Sequence, residues 1–251
     1  MLYNMKELYK EFVEIYKDKP IKDNTGGMKS PQMFGLFCIL KKMNPKLIIE
    51  SGVWYGQGTW FMRKVCPKAK IISFDINLGN QKYKDKEAEY HENDITSFDW
   101  DGLFRDNPEF NSENSLLFLD DHIDFSTRLS FVYHNSPFKY LVYEDNYPPS
   151  QGDCVSPKKI LECTTCVIDR AGGRTTFKIP SEIKESFTSK VKIYEEMPPI
   201  CKPTNTRWGD EWEESKYPTP DPVFNKYDEM EDWVKEESQD YTWICFMELN
   251  K

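Results

Sequence analysis

The chain has 251 residues and a formal net charge of −9, with 39% hydrophobic and 15% aromatic residues, enough to build a sizeable core. That acidic balance argues against a nucleic-acid partner, which would usually show a basic stripe, and no apolar run approaches the ~18 residues of a membrane span. Met1-Leu2-Tyr3-Asn4-Met5-Lys6-Glu7 lacks the basic-then-apolar profile of a signal peptide, and seven scattered cysteines suit a reducing compartment, so the expectation is a cytoplasmic protein without a membrane partner.

In chain order, Leu8, Phe12, Ile15 and Tyr16 recur at helical spacing and predict an amphipathic helix over residues 3–17. Asp23-Asn24-Thr25-Gly26-Gly27 reads as a loop. A second helix is expected from about Gln32 to Lys42, stopping before Asn44-Pro45. Lys46 to Glu50 reads as a strand that enters a glycine loop, Gly52, Gly56 and Gly58, followed by a helix through Trp60-Lys64. Lys70 to Asp75 is a second strand. The polar stretch Asn77 to Glu92 looks helical and exposed, with a weaker strand before Asn93-Asp94. Ser115 to His122 and Tyr140 to Asn146 are strongly apolar strands ending on acids, separated by a helical segment around Ser126 to His134.

Lys190-Tyr194 and Tyr241-Met247 supply two late strands, a terminal pair with one a candidate for antiparallel pairing. Between them the acidic, Pro-, Trp- and Tyr-rich segment Pro198 to Asp240 is too long for a turn and reads as a lid or binding loop, with Trp208, Trp212, Phe224 and Trp233 available to pack. Apolar strands alternating with helices imply an α/β protein whose parallel sheet is buried on both faces. No linker composition appears, so a single domain over 1–251 is expected: a helical extension (1–45), a cofactor core (46–197), the lid (198–240) and the last strand (241–251). Cys163-Thr164-Thr165-Cys166 has no second pair at metal-binding spacing and reads as two partly buried thiols on a helix or turn.

Four strands end on carboxylates: Glu50, Asp75, Asp120-Asp121 and Glu144-Asp145. In an open α/β sheet those ends share one edge, so the acids should converge on one crevice. Each alone could cap a helix, but together they call for a cation or a positively charged cofactor. A glycine loop after a strand suits a nucleoside-bearing cofactor. Glu50 and Asp75 lie about 25 positions apart, near the ~20 expected between a dinucleotide loop and its ribose acid. The loop itself, however, is E-x-G-x-x-x-G-x-G-T rather than G-x-G-x-x-G.

Glu50-Ser51-Gly52-Val53-Trp54-Tyr55-Gly56-Gln57-Gly58-Thr59 resembles motif I of class I S-adenosylmethionine-dependent methyltransferases, in the O-methyltransferase variant. Asp75 matches the acid that family places on the cofactor ribose, and Asp94 lies where it often has an acid near the adenine. Phe118-Leu119-Asp120-Asp121-His122 with Val142-Tyr143-Glu144-Asp145-Asn146 is similar to the cephalosporin hydroxylase and rhamnosyl O-methyltransferase family, whose relatives include macrocin-type sugar O-methyltransferases. The resemblance covers roughly residues 45 to 150, and the 198–240 insertion has no counterpart in it. It implies a Rossmann-like class I methyltransferase fold, with a mostly parallel seven-stranded sheet and helices on both faces, to which this chain's own insertion adds a lid before the last strand. It also implies a cofactor site from Glu50, Gly52, Trp54, Gly56, Gly58, Thr59, Asp75, Asp94 and Asp120. Asp120, Glu144 and Asp145 would hold Mg2+ (or Mn2+), with Asp121 the alternate for Asp120.

A hard divalent ion on three carboxylates keeps positions open for neighbouring hydroxyls of a sugar. It lowers the hydroxyl pKa and orients the oxygen for in-line attack on the sulfonium methyl. His122 is the candidate base, with Asp121 its competitor; His91 and His134 have no acidic constellation. Asn24-Gly27 either folds over the cofactor or merely connects helices. Trp54 is a cofactor contact or a packing residue, and Tyr55 a packing residue. Gln151-Gly152-Asp153 is placed near the substrate pocket, and Trp208-Gly209-Asp210-Glu211-Trp212 presents aromatic faces suited to a sugar ring. The expectation is a metal-dependent O-methyltransferase acting on a sugar or glycan hydroxyl, for example of a deoxysugar such as rhamnose. The alternatives are a metal-free small-molecule methyltransferase and a non-catalytic cofactor-binding protein acting through the acidic insertion. Self-association stays open.

Overall fold

The computed structural model describes residues 4–251. The first helix, α1, spans Met5–Tyr16; Asn4 caps it by accepting from the Lys6 N–H, and Leu8, Phe12 and Tyr16 form its buried stripe. The start of the expected 3–17 helix, and the first three residues of the leader argument, lie outside the described residues. Helix α2, Ser30–Met43, carries Pro31 in its first turn, where a missing N–H costs no bond, and ends on left-handed Asn44 just before Pro45.

Five strands run parallel: β1 (Leu47–Ser51), β2 (Lys70–Phe74), β3 (Glu89–His91), β4 (Ser115–Leu119) and β5 (Tyr140–Tyr143). A hairpin outside the main sheet follows, β6 (Thr165–Arg170) with β7 (Gly173–Lys178), then β8 (Val191–Glu196) and β9 (Cys245–Leu249). The main sheet has seven strands in the order β3-β2-β1-β4-β5-β9-β8, with β9 antiparallel to both neighbours. This is the Rossmann-like, mostly parallel arrangement expected, and its order reverses between β1 and β4, where such sheets open a ligand crevice.

Alternate strand residues feed two cores. Ile48, Ile71, Leu116, Phe118 and Val142 pack with α1, α2 and α3 (Gln57–Val65). Leu47, Ile49, Leu117, Leu119 and Leu141 face the other side, against α4 (Trp100–Asp106), α5 (Phe125–Asn135), α6 (Pro157–Glu162) and α7 (Ser181–Lys190). With about 1.5–3 kcal/mol from each fully buried aliphatic side chain, this double cover keeps the strand ends rigid. The 198–240 segment joins the first core through Phe224, Met230 and Val234, the last on α8 (Asp232–Ser238). Trp212 stacks on Trp243 just before β9, ring centroids 5.4 Å apart.

Two expectations need correction. Residues 77–92 form only a short 3-10 turn, Leu78–Asn80, before β3. There Asn77 and Asp85 turn their side chains onto nearby backbone N–H groups, a local alternative to helix. Cys163 ends α6 and Cys166 lies on β6, a helix-to-strand junction rather than one helix or turn, and all seven cysteines are free thiols. The β6–β7 hairpin and helices α4, α6, α7 and α8 were not anticipated. Strand β7 is exposed along its whole length and carries no apolar alternation; the Gly172-Gly173 pair was the signal available for it. Among the described residues no helix is long and apolar enough to cross a membrane.

Candidate active site

The glycine loop leaves β1 at Ser51. Gly52 has φ +95°, and a Cβ there would overlap the Asp120 carbonyl, so only glycine lets the β1 and β4 ends approach this closely. Trp54 is also left-handed, at φ 48°. What holds it is Asp75 at the end of β2: its Oδ2 accepts from the Val53 and Trp54 N–H groups at 2.8 and 3.1 Å, and its Oδ1 from the Asn77 N–H at 2.9 Å. Trp54 donates its indole N–H to the Thr25 carbonyl at 3.0 Å, tying the Asn24–Gly27 loop across the opening. Tyr55 stacks on Trp54 and carries the Lys82 ammonium over its ring.

A cavity of about 450 Å³ follows, lined among others by Gly26, Gly52, Trp54, Asp75, Asp94 and Asp120. A narrow recess shares Gly52 and Asp120 with it and adds Asn24, Gln57, Gly58 and Glu50. Glu50 is 1% exposed and accepts from the Thr59 and Ser73 hydroxyls at 2.5 and 2.6 Å. Burial pushes its pKa up to about 7 against the pull of those two hydroxyls. The amide nitrogens of Asn24 and Gln57 both donate to the Met28 carbonyl, and their oxygens are left buried without partners. Gly56, the N-cap of α3, and Thr59, buried behind Glu50, do not line either space.

The later acids separate into two groups. Asp121 turns away: its Oδ2 accepts from the Ser51 hydroxyl at 2.5 Å and from Arg128 at 2.8–2.9 Å. Arg128, with only 3% of its side chain exposed, also grips Asp94 through two bonds of 2.7 and 3.1 Å. Burial raises both carboxyls, but for Asp94 the Arg128 and Thr96 bonds outweigh it and hold the pKa at about 2. Asp120 goes the other way. With His122 and Asp145 it brings one ligand atom each into a cluster no wider than 4.8 Å.

Glu144 stands beside this cluster, buried and bound by the Thr242 hydroxyl at 2.7 Å, which in turn accepts from Gln32 of α2 at 2.6 Å. Desolvation, then the charge of Asp145, pushes both Asp120 and Glu144 upward in pKa. His122 is pushed up to about 11 by its bond to Asp153 and the charge of Asp145. Asp145 is 1% exposed, and its Oδ1 has no hydrogen-bond partner. A buried carboxylate oxygen costs several kcal/mol when left unmatched. The carboxylates of Asp120 and Asp145, one oxygen orphaned, with Glu144 beside them, offer the oxygen donors a hard divalent cation takes up, and the residues present fit such an ion.

Compared with the sequence reading, the structure gathers Asp120 and Asp145 as expected and sets His122, rather than Glu144, as the third group of the cluster. Asp121 faces Arg128 instead of the acceptor side, because the Ser51 hydroxyl and the guanidinium claim its Oδ2. Asp94 lines the cavity with its carboxylate engaged by Arg128. Sequence reasoning missed Arg128 and Lys159, both on helices without a motif around them, and it had not linked Asp153 to His122.

No protein-family model and no curated protein matches the chain. Solved structures do: CmcI with SAH at 15% identity over 47% of this chain and 62% of that one (TM-score 0.37), and CmcI with Mg-SAM at 17% identity over 51% and 58% (TM-score 0.37). An SAH-bound methyltransferase from Podospora anserina matches at 14% identity over 58% of this chain and 63% of that one (TM-score 0.38). The chain thus spans about three fifths of the length of these proteins. The functional reading rests on the residues of the site.

Proposed function

We propose that this chain is an S-adenosylmethionine-dependent O-methyltransferase, assisted by a divalent cation, that methylates a hydroxyl of a sugar or glycan. The observation that carries the reading is the convergence of buried Asp145, one carboxylate oxygen orphaned, on Asp120 and His122, which line the cavity together with Gly52, Trp54 and Asp75. Asp75 and Asp94 would face the nucleoside of the methyl donor. Glu50 and the unpartnered oxygens of Asn24 and Gln57 are acceptors for its ammonium group.

Asp120 and Asp145, with Glu144 beside them, would hold the cation. Once bound, it would polarise an acceptor hydroxyl and offset the charge of Asp145 and Asp120 beside His122. The protein's own residues do the rest. The Gly52 turn brings the donor side within reach of the β4 end, Trp54 and the Asn24–Gly27 loop exclude water, and His122 stands next to the acids to accept the hydroxyl proton. Trp208, 40% exposed and edge-on to Tyr147 at 5.5 Å, offers an aromatic face to a sugar ring.

Calorimetry with S-adenosylmethionine should show binding that weakens on Asp75→Ala. A methyl-transfer screen over deoxysugars and glycans, with and without magnesium, should find turnover that EDTA removes. Absence of cofactor binding sinks the reading, and turnover that survives EDTA and Asp145→Asn removes the metal from it.

A further inference from the structure

His122 sits at φ 55°, a left-handed conformation that a non-glycine residue adopts only when its surroundings over-determine it. Its Nδ1 lies 3.1 and 3.3 Å from the two oxygens of Asp153 and 3.4 Å from Asp145 Oδ2. Among the described residues no carboxylate pairs with its Nε2. Asp153 belongs to the loop after β5, far from His122 in sequence, so its placement depends on how that loop is held.

Two features hold it. Gly152 has φ +81°, and a Cβ there would overlap the Tyr147 ring, so the loop closes tightly onto that ring. Lys159 is the more telling feature. Its side chain, on α6, is fully buried, and its ammonium donates to the carbonyls of Gly152 (3.2 Å), Cys154 (2.8 Å) and Val167 (2.9 Å). No carboxylate of the described residues forms a salt bridge with it. The first two carbonyls flank Asp153, and Arg170 Nε takes the carbonyl of Asp153 itself at 2.8 Å. A buried ammonium without a counter-charge is costly, and desolvation lowers its pKa accordingly. An apolar side chain would fill the same volume more cheaply, which leaves the three-carbonyl grip as what the lysine supplies.

We propose that Asp153, fixed by the buried ammonium of Lys159, is the positioning residue that engages His122 Nδ1 and so turns Nε2 toward the acceptor. The inference rests on the methyl-transfer reading above for the role of that nitrogen. In the step it serves, the acceptor O–H proton passes to Nε2 as the oxygen forms its bond to the methyl carbon. The donor's C–S bond breaks, and its electron pair stays on sulfur as a neutral thioether. Neither Asp153 nor Lys159 touches the reacting atoms. With Nδ1 committed to Asp153, Asp120 and Asp145 are left to the cation.

The chain contains three histidines, so the ring nitrogens of His122 can be followed in the 15N-labelled full chain by two-bond 1H–15N correlations, assigned with His122→Gln. Asp153→Asn should move the His122 nitrogen resonances and lower kcat by about 10–100-fold, the usual effect of losing an outer carboxylate partner, with cofactor affinity unchanged. Lys159→Met should displace the same resonances and lower kcat in the same direction. If ring resonances and kcat of Asp153→Asn match those of the wild type, the proposal fails. If only Lys159→Met leaves them untouched, the part assigned to the lysine fails. Because the spectra need neither donor nor acceptor, a failure of the methyl-transfer reading, seen as absent cofactor binding by the wild type, is told apart from a failure here.

Discussion

Replacing Glu50 by Gln isolates the energetic consequence of burying the carboxylate that opens the glycine loop. In the folded protein its pKa is raised from 4.5 to about 7, mainly by desolvation. Below the lower value the group is protonated in both states and folding is indifferent to it. Between the two, the unfolded chain releases the proton while the folded one keeps it, so stability falls as pH rises and levels off above about 7. At about 1.4 kcal/mol per pKa unit the loss totals about 3 kcal/mol. Gln retains an oxygen for the Thr59 and Ser73 hydroxyls and does not titrate. Urea unfolding at about pH 5 and about pH 8 should therefore show the advantage of Glu50→Gln over wild type growing by about 2–3 kcal/mol, at equal m-values. Titrations common to both proteins cancel in that difference. A gap that stays constant with pH refutes the reasoning.

Other perturbations test the remaining site. Arg128→Met leaves Asp121 and Asp94 without their counter-charge, and chemical denaturation should show a loss of about 3–5 kcal/mol, as for other broken buried pairs. Gly52→Ala forces a Cβ into the Asp120 carbonyl at φ +95°; destabilisation of at least about 1–3 kcal/mol and loss of cofactor binding by calorimetry are expected. Asp145→Asn should abolish magnesium-stimulated turnover and any magnesium-induced rise in melting temperature. Trp208→Ala, at an exposed position, should change stability by no more than about 0.5 kcal/mol while raising KM for a sugar acceptor.

Local pattern carried the framework. Apolar runs ending on acids placed the starts of β1, β2, β4 and β5 within a residue, because strands buried on both faces must be apolar throughout, while the ends read for β4 and β5 overran by three residues into the acidic loops. The spacing of Gly52, Gly56 and Gly58 behind Glu50 marked the turn, since the backbone there has no room for a Cβ at Gly52. Parallel order then obliged the acids to meet at one edge. That much the amino-acid sequence determined by itself.

Which acid does what was decided only in three dimensions. Asp120 and Asp121 are neighbours in sequence, yet one joins Asp145 and the other Arg128, because successive residues leaving a strand point to opposite sides and different partners wait on each. Asp153 reaches His122 through a loop held by Lys159, a residue whose burial no local pattern reveals. Hydrophobic periodicity is a property of neighbours along the chain, so it reports elements. Pairing of charges depends on loops that bring distant residues within about 3 Å, and that is settled only when the two cores close around the sheet.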